Sequence, residues 1–405
     1  MIPKYLRLAL AIIFFFSAVP LIPGHADELS QTGERAFEDL TRCINTNKQL
    51  DVYYLIDESG SLKYTDPQND RAEILASSLR ALGNFGNDVA VDYSVGFFGD
   101  RLNTWKPWTK VQPNRLQAES QALANEIRVR NKAFETNWLL GIQGAQEALA
   151  TQRNSRTTCQ ALIWLTDGGI WIAQKDNIKV IDQATTDAAV NELCSSVFQA
   201  LRQANVSVFG VLLKNDQAIS KFKEPDRTQT LNGMEFMRPL VEGKGSLLNE
   251  NSGTRSCGTV PVPANYSAGS FLIAQDPVAL AVKFIELTTI IEGGAPTSLP
   301  SGNPAVFNIE PGVRKFRLLT TAAKWDLKAP DGQSYSSANP QGVAAQVAGV
   351  NEITVKVPAN QIGSWTFNFN DGKFNRLLLF SGLNIKLDPA QLLAGLQGRI
   401  SGDIF

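Results

Sequence analysis

The sequence is nearly without histidine. Its only one, His25, lies close to the amino terminus, so the rest of the chain has no imidazole to act as a general base or a metal ligand. Cysteine is scarce too. Cys43, Cys159, Cys194 and Cys257 stand far apart with no CxxC pair, and a zinc site is not expected. No serine sits in a Gly-x-Ser-x-Gly elbow. Neither a Gly-x-x-x-x-Gly-Lys-Ser/Thr loop nor a Gly-x-Gly-x-x-Gly turn after a strand occurs. The chain is therefore not expected to be an enzyme, and no small-molecule substrate is expected. Neither sign of charge is in excess: 38 basic and 39 acidic side chains give a net charge of −1, or −3 without Lys4 and Arg7. That balance offers no attraction for nucleic acid or an anionic membrane surface. The carboxyl end has no long apolar run and no Leu-Pro-x-Thr-Gly sorting sequence, so no anchor is expected there.

What the chain does have is, first, an export signal. Lys4 and Arg7 precede an apolar run over residues 8–19, and the small residues Gly24 and Ala26 frame a cut after Ala26. Residues 1–26 are expected to be a cleaved signal peptide. The protein is then secreted, periplasmic or at the cell surface. The run is short for a full span, so membrane contact is expected only if the segment stays uncleaved. An even number of cysteines in an exported chain points to disulfides. Three connectivities are open. The positions lean towards Cys159–Cys194, tying a strand start to the next helix, with Cys43–Cys257 tying the two ends of one domain together.

At 405 residues there is room for two or three domains, and a hydrophobic fraction of 43% describes a folded chain. Residues 27–49 are a mixed, polar lead-in anchored by Cys43. Leu50-Asp51-Val52-Tyr53-Tyr54-Leu55-Ile56 is almost continuously apolar, as in a strand buried on both faces of a helix-covered parallel sheet. A helix is expected at 70–82 and a strand at 89–98. A hairpin partner at 104–111 carries Trp105 and Trp108, expected to pack over their own sheet. Helices at 114–129 and up to residue 150 come next. A buried strand at 161–165, a polar loop to 183, a helix at 186–204 and a strand at 206–213 follow. A helix at 231–241, a Gly-, Ser-, Asn- and Pro-rich excursion at 243–268, a strand at 270–274 and a helix at 278–291 complete the region. Such alternation over 50–293 predicts an α/β fold with a doubly wound, mostly parallel sheet.

Three places in this region collect side-chain oxygen: Asp57, Ser59 and Ser61, then Thr136, then Asp167. Taken singly, each has an ordinary explanation as a serine-rich turn, a helix N-cap or an Asp-Gly-Gly turn. Taken together, all fall on the carboxyl-end rim of the sheet, where open α/β folds bind ligands. Clustered hydroxyl and carboxylate oxygens suit a hard divalent cation.

Asp57-Glu58-Ser59-Gly60-Ser61 after the first strand, Thr136 within Glu135-Thr136-Asn137-Trp138, and Asp167 within Leu165-Thr166-Asp167-Gly168 resemble the von Willebrand factor type A family. The match spans about residues 50–293. The resemblance implies a Rossmann-like domain with a metal-ion-dependent adhesion site. Ser59, Ser61 and Thr136 would be direct hydroxyl ligands of Mg²⁺, or of Mn²⁺ or Ca²⁺. Asp57 and Asp167 would act mainly through water or as acceptors that orient the hydroxyls. The metal stays electrophilic and takes an acidic side chain of a protein ligand at an open position. Glu58 is expected to face solvent, and Trp171 to offer a partner contact. The excursion and the cysteines depart from the minimal family pattern and look more like exported bacterial members.

Beyond residue 293 the composition changes. Residues 294–304 form a linker rich in turn residues. Short alternating strands are expected at 306–309, 316–321, 325–327, 352–357, 365–369 and 377–380. Pro330-Asp331-Gly332 and Asn370-Asp371-Gly372 mark turns. Residues 305–381 therefore read as a small β-sandwich, loosely immunoglobulin-like. Residues 382–405 finish it or begin a further module. The function expected is a secreted or cell-surface adhesion protein that recognises an Asp or Glu carboxylate of a protein ligand through the metal. The alternative is a structural or assembly component of an envelope complex, with the α/β domain as a scaffold.

Overall fold

The computed structural model describes residues 30–85, 89–130, 133–152, 158–175, 177–221, 236–242, 269–297, 299–370, 374–381, 384–386 and 401–403. The expected signal peptide, residues 231–235 of an expected helix, the excursion at 243–268 with Cys257, the Asp371-Gly372 turn and most of 382–405 lie outside the described residues.

In chain order the α/β part contains α1 (Gln31–Asn47), β1 (Gln49–Asp57), α2 (Leu62–Thr65), α3 (Asp70–Ala81), β2 (Ala90–Phe98), β3 (Leu102–Lys110), α4 (Pro113–Val129), α5 (Trp138–Gln152) and β4 (Cys159–Thr166). A small hairpin, β5 (Ala173–Gln174) and β6 (Asn177–Ile181), follows. Then come α6 (Gln183–Glu192), a π-helical turn at Leu193–Val197, α7 (Phe198–Gln203), β7 (Val206–Leu213) and α8 (Asp216–Ile219). The part ends with α9 (236–242), β8 (Gly269–Ala274) and α10 (Pro277–Ile291). The sheet runs β3-β2-β1-β4-β7-β8, parallel except for β3 at one edge.

The unbroken apolarity of β1 has a simple use. Leu50, Val52, Tyr54 and Ile56 enter the core under α1, α3, α4 and α10. Tyr53 and Leu55 enter the opposite core under α5, α6, α7 and α9. Because successive side chains alternate between faces, only a strand covered on both sides can bury all of them. Each such side chain contributes about 1.5–3 kcal/mol by leaving water. Trp105 and Trp108 pack as expected: Trp105 meets Phe97 edge-on, while Trp108 meets Tyr53 and donates its Nε1–H to the Ala148 carbonyl.

The lead-in differs from expectation. Residues 31–47 form a helix, with the Ser30 hydroxyl accepting the Gly33 N–H at its start. Phe37, Leu40 and Ile44 recur at helical spacing and are buried in the first core. The disulfide pairing differs as well. Cys43 on α1 is bonded to Cys159 at the start of β4, so neither favoured pair involving these residues forms. The bond ties helix α1 to the start of β4. Cys194 is also disulfide-bonded.

The β-rich part consists of β9 (Ala295–Thr297), β10 (Ala305–Ile309), β11 (Val313–Thr320), β12 (Trp325–Lys328), β13 (Ser334–Ser336), β14 (Ala344–Val347), β15 (Val350–Lys356), β16 (Gly363–Phe369) and β17 (Asn375–Ser381). Two antiparallel sheets, β10-β16-β12-β13 and β14-β15-β11-β17-β9, enclose Phe307, Phe316, Trp325, Trp365 and Phe367. Residues 295–297, expected to be linker, pair with β17 as an edge strand. A last pair, β18 (Asn384–Lys386) and β19 (Ser401–Asp403), forms its own two-stranded ribbon.

The sandwich packs on α10. Leu319, Val347, Val350 and Leu378 join the core that holds Leu287 and Ile291. Around them Glu292 meets Lys315 and Arg317, each at 3.3 Å, Arg317 meets Glu352 at 2.8 Å, and Arg376 meets Glu286 at 2.8 Å. Arg317 also donates to Thr289.

Candidate metal centre

Strands β1 and β4 are neighbours in register, and both stop at the same rim. β1 ends on Asp57, whose Oδ1 accepts the Ser59 N–H at 2.7 Å. This bond folds the chain back so that Ser59 and Ser61 lie together, their hydroxyls 3.0 Å apart. Ser61 donates to Asp167 Oδ1 at 2.8 Å, and Thr166 donates to Asp57 Oδ2 at 2.5 Å. The loop before α5 is fastened to the first loop, with Gly60 N–H on the Ala133 carbonyl at 2.9 Å. Thr136 and Trp171 exchange two backbone hydrogen bonds, at 2.9 and 3.1 Å. A Cβ on Gly168 would lie 3.9 Å from both the Ser61 and the Thr136 hydroxyl oxygens. A glycine at 168 thus keeps clear a space that two hydroxyls border. All five residues expected from the sequence share this rim.

The ordinary explanations for these residues can be checked against the bonds. Thr136 is not the cap of α5: Asn137 is, its Oδ1 accepting the Leu140 N–H at 3.1 Å. Ser61 stands at the start of α2, but among the described residues its side chain caps nothing and points its proton at Asp167. The turn explanation holds for Asp57, through Ser59 N–H, and it occupies only one of the two carboxylate oxygens.

Electrostatically the rim is under-compensated. Burial pushes the Asp57 carboxyl above the usual range, opposed by bonds from Thr166 and Ser59 and by the more distant charge of Arg71. Burial and the charge of Asp57 push Asp167 up to about 7. Two buried carboxylates side by side resist joint ionisation unless a positive charge is supplied. Arg71 is buried close by, but its guanidinium is bound to Asp66 at 2.6 Å. The donor set of carboxylate and hydroxyl oxygens fits a hard cation such as Mg²⁺ or Mn²⁺. It holds only two carboxylates, and among the described residues no group of three His, Cys, Asp or Glu side chains clusters for a metal.

One expectation needs correction. Glu58 does not face solvent. Its carboxylate is largely buried, bound to Arg130 at 2.6 Å and to Asn103 at 3.0 Å. Arg130 itself lies over the Phe97 ring, so Glu58 closes a local ion pair on an apolar floor. Trp171 is partly exposed beside the rim, its backbone bonded to Thr136. Sequence reasoning also missed Thr65, which donates to the second oxygen of Asp167. Its signal was there: four residues after Ser61, one helical turn brings it to the same side.

No known family profile matches the chain, and no curated protein matches it. Solved structures do match by fold. The PilB minor pilin of Streptococcus sanguinis is 11% identical, with a TM-score of 0.39, over 60% of this chain and 61% of that one. A von Willebrand factor type A protein of Catenulispora acidiphila is 13% identical, with a TM-score of 0.34, over 84% and 60%. The manganese-loaded TRAP protein of Plasmodium vivax is 18% identical, with a TM-score of 0.34, over 59% and 74%. The chain spans about three fifths of the length of the first structures it matches. At such scores these likenesses carry no argument about ligands. From its own sheet order and helix placement, the first part of the chain has a von Willebrand factor type A-like fold, followed by a β domain.

Proposed function

We propose that the rim binds a divalent cation and that the protein, exported by its amino-terminal signal, uses this ion to hold an acidic side chain of a partner protein. One observation carries the reading. The hydroxyls of Ser61 and Thr136 are spared from capping and border one space beside two buried carboxylates held by hydroxyls and an amide, while the guanidinium that acts on both, Arg71, is bound to Asp66.

In this reading Ser59, Ser61 and Thr136 hold the ion through their hydroxyl oxygens. Asp57 orients the first loop through Ser59 N–H, and Asp167 orients Ser61. When bound, the ion supplies a positive charge with a preference for anionic oxygen. Thr65 and Thr166 fix the remaining carboxylate oxygens and keep both acids from turning towards solvent. The protein acts by binding, with no enzymatic step. Adhesion or a pilus-type surface role is the setting that fits.

Water-proton relaxation of the Mn²⁺-loaded protein tests the open position. The expected result is a relaxation enhancement that falls on adding an N-acetyl-glutamyl peptide and stays unchanged with its glutaminyl counterpart. An enhancement indifferent to both peptides would favour a scaffold in an envelope complex, with the ion merely fixing loops.

A further inference from the structure

Six large hydrophobic side chains are more than a third exposed among the described residues, and two of them border the rim. Tyr64 is 64% exposed on α2, three residues after Ser61, and Phe134 is 64% exposed two residues before Thr136. Neither position is loose. The Tyr64 N–H bonds the Ser61 carbonyl at 2.8 Å. Asp100 Oδ1 accepts the N–H groups of both Phe134 and Glu135, each at 2.7 Å, and so holds the loop with its ring outward. Ala133, next to Phe134, is bonded to Glu58 and Gly60 of the first loop. The two rings therefore leave the surface from backbone fixed to the two loops that carry the serines and the threonine.

The acids around them are hydrogen-bonded, two of them to cations. Glu58 is bound to Arg130, Asp66 to Arg71, Asp100 to two amides, and Glu135 to the Ala173 N–H at 3.1 Å. Lys63, exposed beside Tyr64, and the cation of the reading above are positive. A matching partner offers one acid to the metal and apolar surface on either side of it. Basic neighbours on the Tyr64 side would meet Lys63 and the cation.

Resting on the metal-centred reading, we propose that Tyr64 and Phe134 are the specificity contacts of this site, and that they select a protein segment whose Asp or Glu is flanked by apolar or aromatic side chains. Burial of the rings against such flanks adds apolar area to a contact that one carboxylate alone makes weak.

The test is selection of a phage library of peptides with a fixed central Asp or Glu and random flanks. It is bound to the Mn²⁺-loaded full chain and eluted with a chelator. Apolar and aromatic residues next to the acid are expected to be enriched about tenfold. The double variant Tyr64→Ser/Phe134→Ser is expected to bind Mn²⁺ as the wild type does by calorimetry, yet lose that enrichment, while Phe134→Leu keeps it. Enrichment of Lys or Arg flanks, no flank preference, or a preference that survives in the double variant would overturn the proposal. Chelator-released peptides absent from a Mn²⁺-binding wild type would overturn it too and leave the metal site standing. Absence of Mn²⁺ binding would sink both.

Discussion

Two places in the chain where carboxylates are buried treat them differently. Where the sandwich meets α10, Glu292 is met by Arg317 and Lys315, and Glu286 by Arg376. At the rim, Asp57 and Asp167 are met by hydroxyls and an amide, and Arg71, whose charge acts on both, is bound to Asp66. Burial raises the carboxyl at both places, but at the junction the opposing charges of Arg317 and Lys315 belong to the chain. A network closed in this way holds two parts together. One left open has use for an ion from outside.

Breaking the junction should have the largest effect. Arg317→Ala leaves Glu292 with Lys315 and breaks the Glu352 ion pair, and is expected to lower stability by about 3–5 kcal/mol, read from the urea midpoint at unchanged slope. At the rim, added Mn²⁺ at a hundred times its dissociation constant should raise stability by about 2.7 kcal/mol, seen as a higher Tm. The junction holds no such site, so Arg317→Ala should gain the same increment from Mn²⁺ as the wild type, leaving the difference between the two unchanged.

A third buried acid sharpens the contrast. Asp51, at the other end of β1, lies in register between Asp92 of β2 and Gln160 of β4. Burial pushes it up to about 6, with Asp92 raising it further and the Gln160 bond opposing. Its unfolded value is near 3.8, so between these values the folded chain holds the extra proton. Stability therefore falls as pH rises from about 4 through about 6 on account of this group. Asp51→Asn should remove that slope and stabilise the protein at pH 7 by about 1–3 kcal/mol in urea titrations. The smallest change is expected for Asp167→Asn, which relieves the repulsion with Asp57. It should stabilise the metal-free protein by about 1–2 kcal/mol while abolishing the gain from Mn²⁺. Loss of stability in the metal-free form would erase the distinction between rim and junction.

Much of this arrangement was legible in the sequence because it rests on local pattern. The run from Leu50 to Ile56 fixed a two-faced strand, and the rim residues stood out because strand ends are where oxygen-rich loops are unusual. The helix of residues 31–47 was obscured by its polar majority, although Phe37, Leu40 and Ile44 mark its buried side. The Cys43–Cys159 bond depends on how that helix lies against the sheet, which spacing does not encode. Glu58 needed Arg130, 72 residues away, to become buried. The strand at 295–297 exists only because β17 offers it an edge, so its turn-rich composition was misleading.

The most direct test of the central claim is calorimetric titration of Mn²⁺ into residues 27–405, beside Ser61→Ala and Thr136→Ala. The expected result is one bound ion in the wild type and loss of binding in both variants, with unchanged circular dichroism. A folded wild type that binds no ion, or variants that bind it equally well, would contradict the claim that the rim is a cation site.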